Sequence, residues 1–448
     1  MANPFLSLYK FCYQVYYFIS VGFFRLPADL IANASRSGER RYAFQEAILL
    51  SLSKHVLHVL VSVNGGVRGQ YLSQQTDAER TRRFQSIGSM PDVIAGVEEQ
   101  RLKGHIAFAL RVLAEATEAP RNAAEVAQSQ TDAKFKSSRD LLAKPVPVGI
   151  FWTGERASKL KQSRAQPGEK VVLWLHGGYY FLGTAETNSK TAYSTLTLDY
   201  LDASRRAGAA ASAGSSILAI EYRKSDRAPW PAPLIDALAG WNYLTAELDF
   251  RPENVILMGE SAGAHLALAL TRYLKENLDV LPGANILACP YLDLTGALAK
   301  DPKGSAAKNA AVDWLSPVAD AYARAKLVPE YLGSSERKQL LQSTYLSPSY
   351  PSSSIYGAEG KQVSEASIYE NWCRTFVFVG TNDILFDHSD IHERRFRLGN
   401  NGKVSDKKFY DRFDVAGAPH AFHMLPPPSF ASQRKEAADR AVRWISSV

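Results

Sequence analysis

The segment NVILMGESAGAHLALAL, residues 254–270, joins a β-branched apolar run to an Ala/Leu-rich run through Gly259, Glu260, Ser261, Ala262 and Gly263. The first run has strand composition and the second has helix composition. Glycines on either side of a serine permit a tight strand-to-helix turn, which lifts the hydroxyl off the top of a sheet with a helix N-terminus beneath it. A serine hydroxyl is a weak nucleophile at neutral pH, so it needs a base, and the base needs an orienting acid. The chemistry implied is acyl transfer with Ser261 as nucleophile.

In a strand–turn–helix of this kind the acid and base follow in the order Asp, then His. TFVFVGTNDILFDHSD places Asp383 just beyond a strand, whereas Asp387 and Asp390 fall inside the next helix, where they are expected to face solvent or cap it. FYDRFDVAGAPHAFHML offers His420 in a loop made by Gly417 and Pro419. His423 is its rival, but it falls in the packed segment Phe422 to Leu425. The remaining histidines read as packing residues. Attack on an acyl carbonyl also builds an oxyanion, whose backbone N–H donors must already be in place; the first is Ala262. VVLWLHGGYYFLG supplies the second source, because His176, Gly177 and Gly178 follow a strand where small residues let the backbone approach a substrate.

These residues need a rigid frame. VVLWLHGG, SILAIEYR, NVILMGES, ANILACPYLDL and TFVFVGTND are apolar strand-like runs, and helix-length segments such as APLIDALAGWNYLTAEL and DIHERRFRLGN separate them. Fully apolar strands alternating with helices predict an α/β domain with a parallel sheet covered on both faces. This catalytic domain is read as residues 141–448. Residues 32–140 read as a helical region, from YAFQEAILLSLSKHVLHVLV and GVEEQRLKGHIAFALRVLAEAT.

A chain of 448 residues with 46% hydrophobic side chains can bury a large core. Its formal charge of +7 is scattered, and no zinc, helix-turn-helix or RNA-binding signature accompanies it, so nucleic acid is not the expected partner. Cys12, Cys289 and Cys373 form no CxxC pair and read as buried thiols, so neither a disulfide framework nor a metal cluster is implied. Residues 1–31 are distinctive, because Phe5 to Phe24 is apolar all round and rich in Tyr and Phe, as a membrane anchor would be. Lys10 and Gln14 weaken that reading, and the other readings are a helix covering the substrate pocket and a signal peptide, for which neither a basic start nor a small-residue cleavage site is clear. The anchor reading gives a membrane location of endoplasmic-reticulum type, and the lid reading a cytoplasmic one. A glycosylation sequon at Asn33 leaves the side of the membrane open.

Taken together, HGGYYFLG, EYRKSDRAPWPAPLIDAL, GESAG, CPYLDL, NDILFD and PHAFH resemble, in order and spacing, the hormone-sensitive-lipase-like branch of the α/β-hydrolases. That branch includes bacterial and fungal esterases, arylacetamide deacetylases and fungal steryl acetyl hydrolases. The resemblance runs from about Pro145 to Val448. It implies the α/β-hydrolase fold, Ser261, Asp383 and His420 as a triad, and an oxyanion hole from Gly177, Gly178, Tyr179 and Ala262. His176, Gly259 and Gly263 are its structural supports. It also implies a lid built from the N-terminal helices and an insertion at about residues 295–345; a long aromatic N-terminus and a large lid point to a small lipophilic ester as substrate, and acyl transfer through a triad needs no metal or organic cofactor. Tyr179 departs from the pattern, since the family usually has a third glycine there. Two other readings of the same fold remain: a binding module, as in gibberellin receptors that have lost the histidine, and a non-hydrolytic biosynthetic enzyme of dehydratase, cyclase or retro-aldol type.

Overall fold

The computed structural model describes residues 15–17, 19–35, 42–64, 84–87, 106, 109 and 148–447, apart from 159–162, 187–194, 209–213, 226–227, 316, 329–333, 359, 401–402, 404 and 426–428. The strands in chain order are β1 (Phe84–Ile87), β2 (Val148–Gly154), β3 (Val171–Leu175), β4 (Ser216–Glu221), β5 (Val255–Glu260) and β6 (Ala284–Ala288). A small hairpin, β7 (Ile355–Tyr356) with β8 (Gln362–Val363), precedes β9 (Arg374–Gly380) and β10 (Tyr410–Val415). Eight of these form one sheet in the order β1-β2-β4-β3-β5-β6-β9-β10. It is antiparallel at β1, β2 and β4 and parallel from β4 onward.

The helices explain why the strands are apolar on both faces. They are α1 (Leu26–Ala34), α2 (Phe44–Asn64), α3 (Thr195–Ala207), α4 (Ala232–Asn242), α5 (Ala262–Leu278), α6 (Ser305–Asn309), α7 (Pro317–Leu327), α8 (Ser334–Leu341), α9 (Phe386–Gly399) and α10 (Ala431–Ser446). Val171, Leu173, Val255 and Leu257 join a buried cluster with α4, α5 and α9. The alternate residues Val172, Trp174, Ile256 and Met258 join a second cluster with α3 and α10. The period of two along each strand splits its side chains between two covered faces. Among the described residues, the helical segments Leu298–Lys300, α6, α7 and α8 occupy the insertion at about residues 295–345, between β6 and β9.

The N-terminal region differs from its sequence reading in one respect. β1 lies among residues expected to be helical and pairs with the outer side of β2. Four residues are too short to show strand periodicity beside long helical repeats. The segment 96–117 lies outside the described residues except Ile106 and Ala109, both helical and buried.

Residues 5–14 and Cys12 are outside the described residues as well, but Val15–Ala34 is helical, long and apolar enough to cross a membrane by length and composition. This helix is tied to α2 by polar contacts. Asp29 accepts hydrogen bonds from Ser51 Oγ (2.6 Å) and Lys54 Nζ (2.8 Å). Lys54 Nζ also donates to Ala310 O in the insertion (3.3 Å). The outer side carries Tyr16, Ile19, Phe23, Phe24 and Ile31, all exposed. Asn33 is buried, with its carbonyl oxygen accepting the Tyr42 N–H and its amide donating to Tyr42 O, so the sequon is closed to glycosylation in this fold.

Candidate active site

The C-terminal ends of β5, β6, β9 and β10 lie side by side and are laced by backbone hydrogen bonds. Ser261 N donates to Ala288 O (2.8 Å), Cys289 N to Phe378 O (2.8 Å) and Asn382 N to Ala418 O (2.9 Å). Ser261, Asp383 and His420, which are far apart in the chain, therefore share one rim.

Ser261 occupies the turn predicted for it. Its backbone is strained, with φ +53° and ψ −115°, and α5 begins at the next residue. Such a conformation in a non-glycine residue costs on the order of 1–3 kcal/mol and persists only where the surroundings enforce it. Packing is what enforces it here. A Cβ on Gly259 would lie 2.3 Å from Gly263 O, and one on Gly263 would lie 2.0 Å from Leu175 O. Any side chain at either glycine would push α5 away from the sheet.

The two histidines differ in their partners. His420 Nδ1 is 2.8 Å from Asp383 Oδ2, and Asp383 Oδ1 accepts the Leu385 N–H at 2.7 Å. With Nδ1 donating to the carboxylate, Nε2 is the nitrogen that can accept a proton. Burial opposes charge on His420, but contact with Asp383, helped by Asp313 and Glu260, outweighs it and raises its pKa. His423 faces the other way, its Nε2 lying 3.0 Å from Glu260 Oε2. Of the two acidic alternatives, Asp390 is exposed and pairs with Arg412 (2.7 Å). Asp387 lies half-buried in the first turn of α9, where its Oδ2 accepts the N–H of Ser305 (2.6 Å) in the insertion.

The loop after β3 is held in an unusual path. Gly178 has φ +108°, Tyr179 +55° and Tyr180 +65°, and the N–H groups of Phe181 and Leu182 both donate to Gly178 O. Gly177 is required by contact, since a Cβ there would sit 2.5 Å from Glu260 Oε1. His176 is buried against Tyr222, whose hydroxyl donates to His176 O (2.6 Å), and burial lowers its pKa to about 4, so it is a neutral support. Tyr179 is buried between Phe181 and Tyr291, and its hydroxyl has no hydrogen-bond partner among the described residues.

Several side chains at the rim escaped sequence reasoning. Glu260 was only a spacer in the Gly-x-Ser pattern, yet it is buried and packs against both Gly177 and His423. Asn309, Asp313 and Trp314 come from the insertion, in NAAVDWL, which carries no periodicity or motif. Cys289 Sγ, one Asp383 oxygen and one His420 nitrogen lie within 4.8 Å of one another. Burial pushes the Cys289 thiol well up, keeping it protonated, and Asp383 and His420 already satisfy each other, so the donor set does not suit a metal.

Residues 172–424 match the family model described as alpha/beta hydrolase fold. The chain is 33% identical over 150 residues to an acetyl-hydrolase of Streptomyces hygroscopicus, covering 33% of this chain and 45% of that protein. It is 28% identical over 146 residues to an esterase of Acinetobacter venetianus, covering 33% and 43%. The matched region thus spans less than half the length of these relatives. Among solved structures it is similar to an esterase from the bacterial hormone-sensitive lipase family, with 20% identity, 76% and 97% coverage and a TM-score of 0.46.

Proposed function

The chain belongs to the alpha/beta-hydrolase family, and on that premise we propose that it is a carboxylic ester hydrolase working through Ser261, His420 and Asp383. The observation that carries this reading is the His420–Asp383 hydrogen bond on the same rim as the strained Ser261 turn. His420 Nε2 takes the Ser261 proton as Oγ attacks the ester carbonyl. Asp383 holds the imidazole by Nδ1–H and stabilises the imidazolium that forms. The N–H groups of Ala262, at the start of α5, and of Gly178 and Tyr179 receive the oxyanion, supported by Gly177, His176, Gly259 and Gly263. His420 then returns the proton to the leaving alcohol, and water, deprotonated by the same imidazole, cleaves the acyl-enzyme.

The substrate proposed is a lipophilic ester with a short acyl group. Tyr179 puts a buried ring where the family resemblance expects glycine, and Phe181 and Tyr291 extend that aromatic wall. One relative is named an acetyl-hydrolase, which agrees with a small acyl pocket. The insertion at 295–345 and the N-terminal helices serve as the lid. The exposed apolar side of the helix Val15–Ala34 supports association with a membrane surface, and its polar contacts to α2 favour a helix lying at the interface rather than one standing free in lipid.

Turnover of p-nitrophenyl esters of increasing chain length tests the reading. Acetate should be preferred, Ser261→Ala should abolish both turnover and fluorophosphonate labelling, and Tyr179→Gly should shift preference towards longer chains. Labelling without ester turnover would point to non-hydrolytic chemistry instead. Vesicle flotation of wild type against a Phe23→Ser/Phe24→Ser variant tests the membrane surface; equal flotation would remove it.

A further inference from the structure

The insertion does more than cover the rim, because residues 305–314 grip both loops that carry the acid and the base. Ser305 Oγ donates to Ile384 O (2.8 Å), and Asn309 Nδ2 donates to Asp383 O (2.9 Å) and Thr381 O (3.2 Å). Asp313 Oδ2 accepts the Ile384 N–H (2.7 Å), while its Oδ1 accepts the N–H of His420 (3.3 Å) and of Leu315 (3.4 Å). Trp314 Nε1 donates to His420 O (2.6 Å). The peptide N–H and C=O of His420 are thus both held by consecutive side chains of the insertion.

We propose that Asp313 is a positioning residue for the catalytic pair, a second buried carboxylate that holds the Asp383 and His420 loops in register and supports the imidazolium electrostatically. The proposal rests on the hydrolase reading above. The residue type fits the task. All of its described hydrogen bonds come from backbone N–H groups, so an acceptor-only side chain is required, and an asparagine would turn an NH₂ against an N–H. Asp313 is 1% exposed, so its charge acts on His420 in a medium of low dielectric. The groups facing the pair are Asp383 from the loop after β9, Glu260 at the end of β5, Cys289 after β6 and Tyr179 after β3. Burial and then Asp383 raise the Asp313 pKa, while His420 pulls it down, so a positive imidazole favours the ionised form of Asp313. The two groups support each other at the step in which His420 holds the Ser261 proton.

The test uses the full chain with Asp313→Asn, measuring kcat and KM for p-nitrophenyl acetate across pH beside thermal melting. A misplaced pair should lower kcat by about 10–100-fold with KM nearly unchanged. Removing a negative charge that favours the imidazolium should also move the acid limb of kcat/KM to lower pH. Wild-type kcat with an unmoved limb would overturn the proposal. So would a loss in which KM rises in step and the limb stays in place, since that is ordinary structural damage. If Asp313→Asn does not fold, Trp314→Phe, which removes the donor to His420 O and trims the indole to one ring, must lower kcat with KM unchanged; wild-type kcat there overturns the clamp. Failure of the hydrolase reading has its own signature, a wild-type protein that neither turns over the ester nor takes a fluorophosphonate label, and the proposal falls with it.

Discussion

His420 and His423 lie on the same loop after β10, both are buried, and both rest against a buried carboxylate. They differ in which nitrogen is engaged. His420 uses Nδ1 towards Asp383, so Nε2 is the nitrogen that can accept a proton. His423 uses Nε2 towards Glu260, and its Nδ1 is buried without a hydrogen-bond partner among the described residues, with Phe378 and Phe422 around the ring. A carboxylate beside a histidine therefore does not make it a base. The engaged nitrogen decides whether the other one meets the rim or the core. The second pair has work of a different kind, because Glu260 also packs against Gly177 and so supports the loop proposed to receive the oxyanion.

The largest effect expected follows from this contrast. His420→Gln should lower kcat by on the order of 10⁶-fold, close to Ser261→Ala, and the double variant should be little worse than either, because the two side chains act as a unit. Steady-state kinetics on one small ester would check it. An active His420→Gln beside a dead His423→Gln would reverse the comparison. Next in size is Asp383→Asn, expected to cost about 10⁴-fold in kcat by stabilising the wrong tautomer of His420. Glu260→Gln, the matching change in the other pair, should cost far less; equal losses would mean that the two pairs share the chemistry.

The pH profile sharpens the comparison further. A raised His420 pKa means that the inactive imidazolium persists to higher pH than for a free imidazole, near 6.5. The acid limb of kcat/KM should then lie above about 6.5 and fall tenfold per pH unit below it. A limb below that value would show that burial outweighs Asp383. The smallest catalytic effect belongs to His423→Ala, whose cost should appear in stability instead. Leaving Glu260 buried without its hydrogen-bond partner should lower unfolding free energy by roughly 1–3 kcal/mol, read by denaturant melts, while kcat falls far less than in the His420 variant.

The parts of the site legible in the sequence were those written in local pattern. The strand, the glycines and the Ala/Leu-rich helix around Ser261 predict one another over seventeen residues, and the structure builds that turn where the pattern put it. The candidates Asp383 and His420 were legible from nearby signals as well, Asp383 at the turn after the apolar strand β9 and His420 in the loop that Gly417 and Pro419 make after β10. β1 was not, since four residues carry too little periodicity to stand out from helical surroundings.

What the sequence by itself determined, then, is the alternation of the central apolar strands with helices, the Ser261 turn and a short list of candidate acids and bases, because these depend on neighbours a few residues away. Which histidine pairs with which carboxylate was decided only by tertiary structure, since Asp383 lies 37 residues from His420 and Glu260 lies 163 from His423. The same holds for Asp313, which reaches His420 across 107 residues. The physical reason is that a buried polar group must find its partner wherever the fold brings one alongside. Those partners are set by the adjacency of β5, β6, β9 and β10 in the sheet and by the path of the insertion over their ends, neither of which any local pattern records.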